Sequence, residues 1–183
     1  MKGAIFTILQ DMIEDQMGID VWQDIISTSD LPSGGVYTSA QHYDDEEVFV
    51  IVGALAEKTG LPAEQLLEAY GEYLFDKLHS SLPSDMRLPE SYFDYLESVH
   101  TQIHVEVRKL DANASLPELA LINRSETAAT LEYRSKLKLC YLAIGLLKGS
   151  ATFFNENVNV SMPRCMHEGA DCCHLNIELA TSA

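Results

Sequence analysis

Residues 89–134, PESYFDYLESVHTQIHVEVRKLDANASLPELALINRSETAATLEYR, hold the change of period that decides the fold. From Pro89 to Leu110 the apolar residues Phe93, Leu96, Val99, Ile103, Val107 and Leu110 recur at three- and four-residue steps, the spacing of one buried helical stripe. Past Asp111 the period falls to two. Leu119–Asn123 and Thr127–Tyr133 alternate as strands joined by the polar turn Asn123–Glu126.

Upstream of this stretch the chain reads as helix after helix. Ile5, Ile8, Leu9, Met12, Ile13 and Met17 make a first amphipathic helix that Gly18 ends, and Val21, Trp22, Ile25 and Ile26 make a short second one. After the loop Leu31–Gly35, acids at 44–47 load the first turn of a helix running to Lys58, with Gly60 as its stop. Pro62 opens the next, to about His79. Downstream, Leu137–Phe154 is helical, and Val158–Ser161 and His174–Leu179 alternate as a second pair of strands. Helices first and strands later, without alternating βαβ units, is an α+β arrangement: an N-terminal helical half followed by a four-stranded antiparallel sheet with packed helices.

The 183 residues suit one domain, and 46% hydrophobic with 22% charged residues is globular composition. The net charge of −16 lies almost wholly in residues 1–100, where 4 Lys and Arg face 19 Asp and Glu. Such a surface lacks the cations that replace phosphate counterions, so nucleic acid and anionic membranes are disfavoured as partners. The acids at Asp44–Glu47 and Glu64–Asp76 read as solvated faces, and as a docking face for a protein partner. No apolar run reaches a membrane span, and Asp11, Glu14 and Asp15 interrupt the segment where a signal peptide would stay apolar. The expected location is the cytoplasm, where the four cysteines stay reduced.

Three constellations carry chemistry. His100 and His104 lie four apart at the edge of the helical stripe, and spacing does not choose between them. Thr101, Gln102 and Ile103 between them lack the Glu of an HExxH site. Tyr133 and Ser135 share one side of a strand, where two hydroxyls can donate to one anion, while Arg134 and Lys136 face away. Cys165 and the pair Cys172-Cys173, about eight residues apart around a Glu-Gly-Ala-Asp turn, with Cys140 on the preceding helix, suit either a tetrahedral metal site or buried free thiols. There is no GxGxxG, GxxxxGK[ST] or GxSxG, and no enzyme activity is expected.

Taken together, MKG at the start, the helix IHVEVRKL, a proline thirteen residues past its His, EYRSK and the C-terminal Cys cluster resemble the H-NOX (haem nitric oxide/oxygen-binding) family, in its stand-alone bacterial type. The resemblance covers essentially the whole chain, 1–183, with a helical subdomain about 1–60 and a haem-anchoring subdomain about 61–183. It implies haem b as cofactor, His104 rather than His100 as the proximal iron ligand, Pro117 and Ile5 as residues pressing on the haem, and Tyr133 and Ser135 as propionate donors. The family's third propionate residue is Arg, whereas this chain has Leu137. Arg134, Lys136 and Lys138 are the cations left nearby.

The resemblance also addresses the ligand. Relatives that hold O2 place a tyrosine where this chain has Leu142, and a polar residue where it has Leu74. An apolar distal pocket offers bound O2 no hydrogen bond, so the implied ligand is NO, with CO also accepted and O2 disfavoured. The implied partner is a separate sensor histidine kinase or cyclic-di-GMP enzyme. Some stand-alone relatives carry zinc on three cysteines and a histidine. Cys140, Cys165 and Cys173 match the cysteines, Met162 stands at the histidine, and Cys172, His167 or His174 is left as the fourth ligand of one structural or redox-sensitive Zn. The rival reading makes the cysteines the working site of a zinc- or redox-responsive module with weak or no haem binding.

Overall fold

A computed structural model describes residues 1–180; the last three residues of the expected domain lie outside the described part. Helices α1 (Gly3–Met17), α2 (Ile19–Thr28), α3 (Glu46–Thr59) and α4 (Ala63–Ser80) come first. The fifth, expected as one helix over 89–110, begins at Tyr92 after the Ser91 cap, whose hydroxyl accepts from the Asp94 amide. It is α5 (Tyr92–Ser98), a π-helical segment (Val99–Ile103) and α6 (His104–Leu110) end to end. Strands β1 (Glu118–Ile122) and β2 (Ala128–Arg134), helix α7 (Cys140–Phe153), and strands β3 (Val158–Arg164) and β4 (Cys173–Leu179) complete the chain. The α+β expectation holds: the sheet has four strands in the order β1-β2-β4-β3, every neighbouring pair antiparallel.

Two apolar clusters form the interior. One gathers α1, α2, α3 and the first half of α4 around Phe6, Trp22, Ile51, Tyr70 and Leu74, and takes Leu139 and Leu142 from the start of α7. The other packs α5 and α7 on the face of the sheet bearing Leu131, Tyr133, Cys173, Leu175 and Ile177. Tyr141 and Leu146 of α7 touch both. Helices α4 and α7 approach so closely that a Cβ at Gly145 would stand 2.0 Å from the Glu68 carbonyl oxygen, and one at Gly71 would stand 2.3 Å from that of Leu142. Only glycine at these two crossings permits the approach, which brings Leu142 and Leu74 into one cluster.

The amphipathic stripe read for 89–110 holds from Phe93 to Val107, which packs half-buried on the second cluster, and fails only at Leu110. Phe93, Leu96 and Ile103 are buried, whereas Leu110 is 82% exposed. The physical reason is the π segment. Its extra residue rotates the turns that follow by about 100° relative to an uninterrupted α-helix, which carries Leu110 out of the stripe. Among the described residues no helix is long and apolar enough to cross a membrane.

Candidate functional site

The two histidines left open by spacing differ in burial. His104 is 9% exposed, and its Nδ1 is buried with no hydrogen-bond partner. Burial pushes its pKa down to about 4, with Arg108 and His100 adding to the effect and the nearby Pro117 backbone opposing it. At neutral pH the ring is an uncharged imidazole with lone-pair capacity, the form that ligates a metal. The Pro117 interaction places the proline beside the histidine. His100 is half-buried and lines a polar cavity instead.

Of the other expected residues, Ile5, Leu74 and Leu142 belong to the first apolar cluster, with Leu74 1% and Leu142 8% exposed. Tyr133 belongs to the second, at 3% exposed, and burial raises its phenol to about 12, opposed by the Ser135 hydroxyl. Tyr133 and Ser135 thus do meet. Arg134 faces away, as its strand position requires: its Nε donates to the Asp171 carbonyl at 3.2 Å and its guanidinium lies 3.5 Å from Glu118. Leu137 packs against the first cluster and brings no charge to the two hydroxyls.

Two residues that the sequence reading passed over shape this region. Tyr70 of α4 is fully buried, and its hydroxyl donates to the Ile5 carbonyl. It lies one turn before Leu74, but its proton is committed to α1. Glu47, read as part of a solvated acidic face, is 2% exposed and accepts from the hydroxyls of Ser33 and, at 2.8 Å, Tyr37. The correction has a simple cause: the second acid of the first helical turn points inward, and Leu31–Gly35 folds two hydroxyl donors over it. A buried acid in a run of exposed ones leaves no mark in composition. At the other end of the site, Asp111, just past α6, accepts from Lys2 at 3.0 Å and lies 2.9 Å from His42 Nε2, tying the His104 helix to the N-terminal helices.

The cysteines do converge. Cys140, Cys165 and Cys173 are buried, with Sγ–Sγ distances of 3.8 Å from Cys140 to Cys165 and 3.9 Å from Cys165 to Cys173. The Met166 and His167 amides donate to Cys173 and Cys165 at 3.2 and 3.4 Å. Burial and the mutual proximity of the sulfurs raise the Cys140 and Cys173 thiols, with the Met166 amide opposing at Cys173. None of the three expected fourth ligands joins them. His167 Nε2 is 2.8 Å from the Lys138 carbonyl, while Cys172 and His174 lie with Glu132 on the opposite face of the sheet. Alternation is the reason: residues flanking Cys173 on a strand point away from it.

A helical unit packs over an antiparallel sheet, with a buried imidazole beside a proline and the Tyr133 and Ser135 hydroxyls at the end of β2. Residues 2–162 match the family model described as Haem-NO-binding, and the chain belongs to that family of haem-based gas sensors. Its fold is that of the unliganded Fe(II) H-NOX protein from K. algicida (TM-score 0.91, 28% identity, 100% of this chain and 98% of that one). The Fe(II)NO H-NOX protein from S. oneidensis is similar at TM-score 0.88 and 35% identity, over 99% and 100%. The soluble guanylate cyclase gcy-35 of Caenorhabditis elegans is 27% identical over 144 residues, 74% of this chain. The chain spans about a fifth of the length of the curated cyclases it matches.

Proposed function

We propose that this chain is an NO sensor that holds haem b on His104 and passes the binding event to a separate signalling protein, a sensor histidine kinase or a cyclic-di-GMP enzyme. The observation that carries this reading is His104 itself, buried and neutral with an unpartnered ring nitrogen. Burying a polar atom without a partner costs about 1–3 kcal/mol, which a ligated metal removes. Tyr133 and Ser135 would hold the propionates, Pro117 and Ile5 would press on the ring, and Leu74 and Leu142 would line the distal side. Bound haem supplies a ferrous iron at which a diatomic gas can bind opposite the axial imidazole.

The chain's own residues set the selectivity and the output. Leu74 and Leu142 present no donor to a bound gas, and Tyr70, the nearby phenol on the same helix face, spends its proton on the Ile5 carbonyl. This disfavours O2, which needs such a donor, and leaves NO and CO. His104 stands where the π segment meets α6, and Asp111 links the far end of α6 to Lys2 and His42. A partner responds only if it binds the displaced and resting positions of α6 with different affinity. Absorption spectra of the reduced, haem-loaded protein under CO, NO and air test the reading. NO and CO are expected to shift the Soret band and air to leave it in place; no Soret band, or an unaltered spectrum in His104→Ala, overturns it.

The cysteines support a second, compatible reading, zinc on Cys140, Cys165 and Cys173. Zn–S bonds of about 2.3 Å in a tetrahedron put sulfurs roughly 3.8 Å apart, the spacing found here. Three close thiols that resist ionisation alone become good ligands beside a divalent cation. The fourth position falls to solvent or to a side chain other than Met162. One equivalent of zinc that Cys165→Ser abolishes is the expected result of metal analysis; full retention of zinc in that variant overturns it.

A further inference from the structure

The face of the sheet turned away from α7 holds a second cluster of metal-binding side chains. Glu132 on β2 stands directly opposite His174 on β4, with Oε1 3.3 Å from Nε2. That contact lacks hydrogen-bond geometry, and His174 Nε2 is buried without a partner. Cys172, one step before β4 and 3% exposed, completes the set: its Sγ, the His174 ring nitrogen and a Glu132 oxygen all lie within 4.8 Å of one another. Because side chains alternate along a strand, this cluster is back to back with Tyr133 and Cys173, which point to the other face.

The surroundings suit a cation with an exchangeable position. A cavity of about 440 Å3 is lined by Cys172 and Glu132 and also by His100, Arg108 and Arg134. The positive charges closest in sequence are already engaged, Arg134 with Glu118 and the Asp171 carbonyl, and Arg164 with the Asp171 carboxylate. A thiolate, an imidazole and a carboxylate are a borderline donor set, which selects zinc-like transition metals over magnesium or calcium. Three protein ligands with an open side are the pattern of an accessible site, whereas structural zinc sites close with four.

We propose that Glu132, Cys172 and His174 bind a divalent transition metal of the zinc class, separately from Cys140, Cys165 and Cys173. The metal replaces the Cys172 thiol proton, which leaves to water, so uptake releases one proton. It clamps β2 to β4 and leaves one coordination position facing the cavity. His100, one turn before His104, lines that cavity and has its own Nδ1 buried without a partner. Occupancy is therefore registered next to the helix that carries His104.

Native mass spectrometry of the reduced, haem-loaded chain with added zinc counts the sites, and cadmium-113 NMR of the cadmium-loaded chain tells them apart by donor type. Cys172→Ser is expected to remove one equivalent of metal and the resonance of the mixed sulfur, nitrogen and oxygen site, leaving any sulfur-rich resonance intact. Cys140→Ser is expected to do the reverse. Glu132→Gln, which keeps size and shape, is expected to weaken the same equivalent at least tenfold with the circular dichroism unchanged. An unchanged stoichiometry in Cys172→Ser overturns the proposal, and so does loss of a sulfur-rich resonance in that variant, since Cys172 would then belong to the other cluster. Both readouts are independent of gas binding, so failure of the NO reading leaves this test standing.

Discussion

Replacing Glu47 with Ala is expected to destabilise the fold, although the residue lies in a run of four acids. Its carboxylate is 2% exposed and accepts from Ser33 and Tyr37. Ser33 is half-buried and can turn to water, but Tyr37 is 8% exposed and stacked on Phe6 with ring centroids 4.5 Å apart. Its hydroxyl has no exit. Leaving it unpaired costs about 1–3 kcal/mol, and the volume vacated adds on the order of 1 kcal/mol, while relief from burying a carboxylate offsets part of this. The net loss is about 1–3 kcal/mol, a fall of roughly 2–12 °C in Tm for a chain of this size. Glu46→Ala, one residue away and exposed, is expected to stay within about 0.5 kcal/mol. Thermal melts of both variants measure the contrast. Tyr37→Phe combined with Glu47→Leu removes the donor and acceptor together and is expected to cost less than the sum of the single changes. Equal Tm values for the two Ala variants, or strict additivity in the double variant, would refute the buried network.

Three further perturbations probe the site. Gly145→Ala forces α7 away from the Glu68 carbonyl, and is expected to cost about 1–3 kcal/mol and to alter the Soret spectrum of the CO-bound protein through Leu142; an unchanged Tm counts against the close crossing. Leu137→Arg restores a cation beside Tyr133 and Ser135 and is expected to slow haem transfer to an excess of a tighter-binding apoprotein by about tenfold or more, given about 1.5–3 kcal/mol for a charged hydrogen bond; an equal transfer rate shows that the propionates lie elsewhere. Glu72 is exposed, but partial desolvation against its neighbours raises its pKa, with Lys148 opposing and Glu68 adding. A carboxyl that is harder to ionise when folded than when unfolded loses stability as pH rises past the unfolded value, so Glu72→Gln is expected to gain on the wild type in urea midpoints between about pH 4 and pH 7; a gain confined to the acid end reverses the sign.

Most of the architecture was written in periodicity, and the exceptions share a cause. Helix and strand spans were legible because apolar spacing of 3.6 or 2 reports directly on which face is buried. Leu110 was not, because a π segment changes the count without any residue that signals it, and neither was the choice between His100 and His104, which turns on burial. Gly18 and Gly60 could be read as stops, yet Gly71 and Gly145 inside helices showed nothing of the crossing they permit, which depends on two distant segments meeting. Spacing brought the cysteines into one neighbourhood, and the family resemblance singled out Cys140, Cys165 and Cys173. Their separation from Cys172 and His174 needed the strand register, which the sequence leaves open by one residue and therefore by one face.

The helix bearing His104 is held unequally along its length. At its start Ser91 caps α5, and Arg124 pairs with Asp94 at 2.6 Å and Glu97 at 3.2 Å, fixing α5 to the turn between β1 and β2. Four of the seven residues of α5 are large apolar or aromatic groups in the second cluster. In α6 only His104 is buried, and Asp111 beyond its end reaches back to Lys2 and His42. The π segment between them is the least regular part of the helix, with wider turns than the α-helices it joins. A displacement that begins at His104 therefore meets little packing resistance in α6 and strong resistance in α5, so it bends the helix at 99–103 and loads the ion pairs at Asp111. Those pairs join the two ends of the chain's charge asymmetry, since Lys2 is one of only 4 cations among the first 100 residues. The acidic half thus gives one of its few cations to the joint through which, on the proposed reading, a displacement of His104 would reach the start of α1.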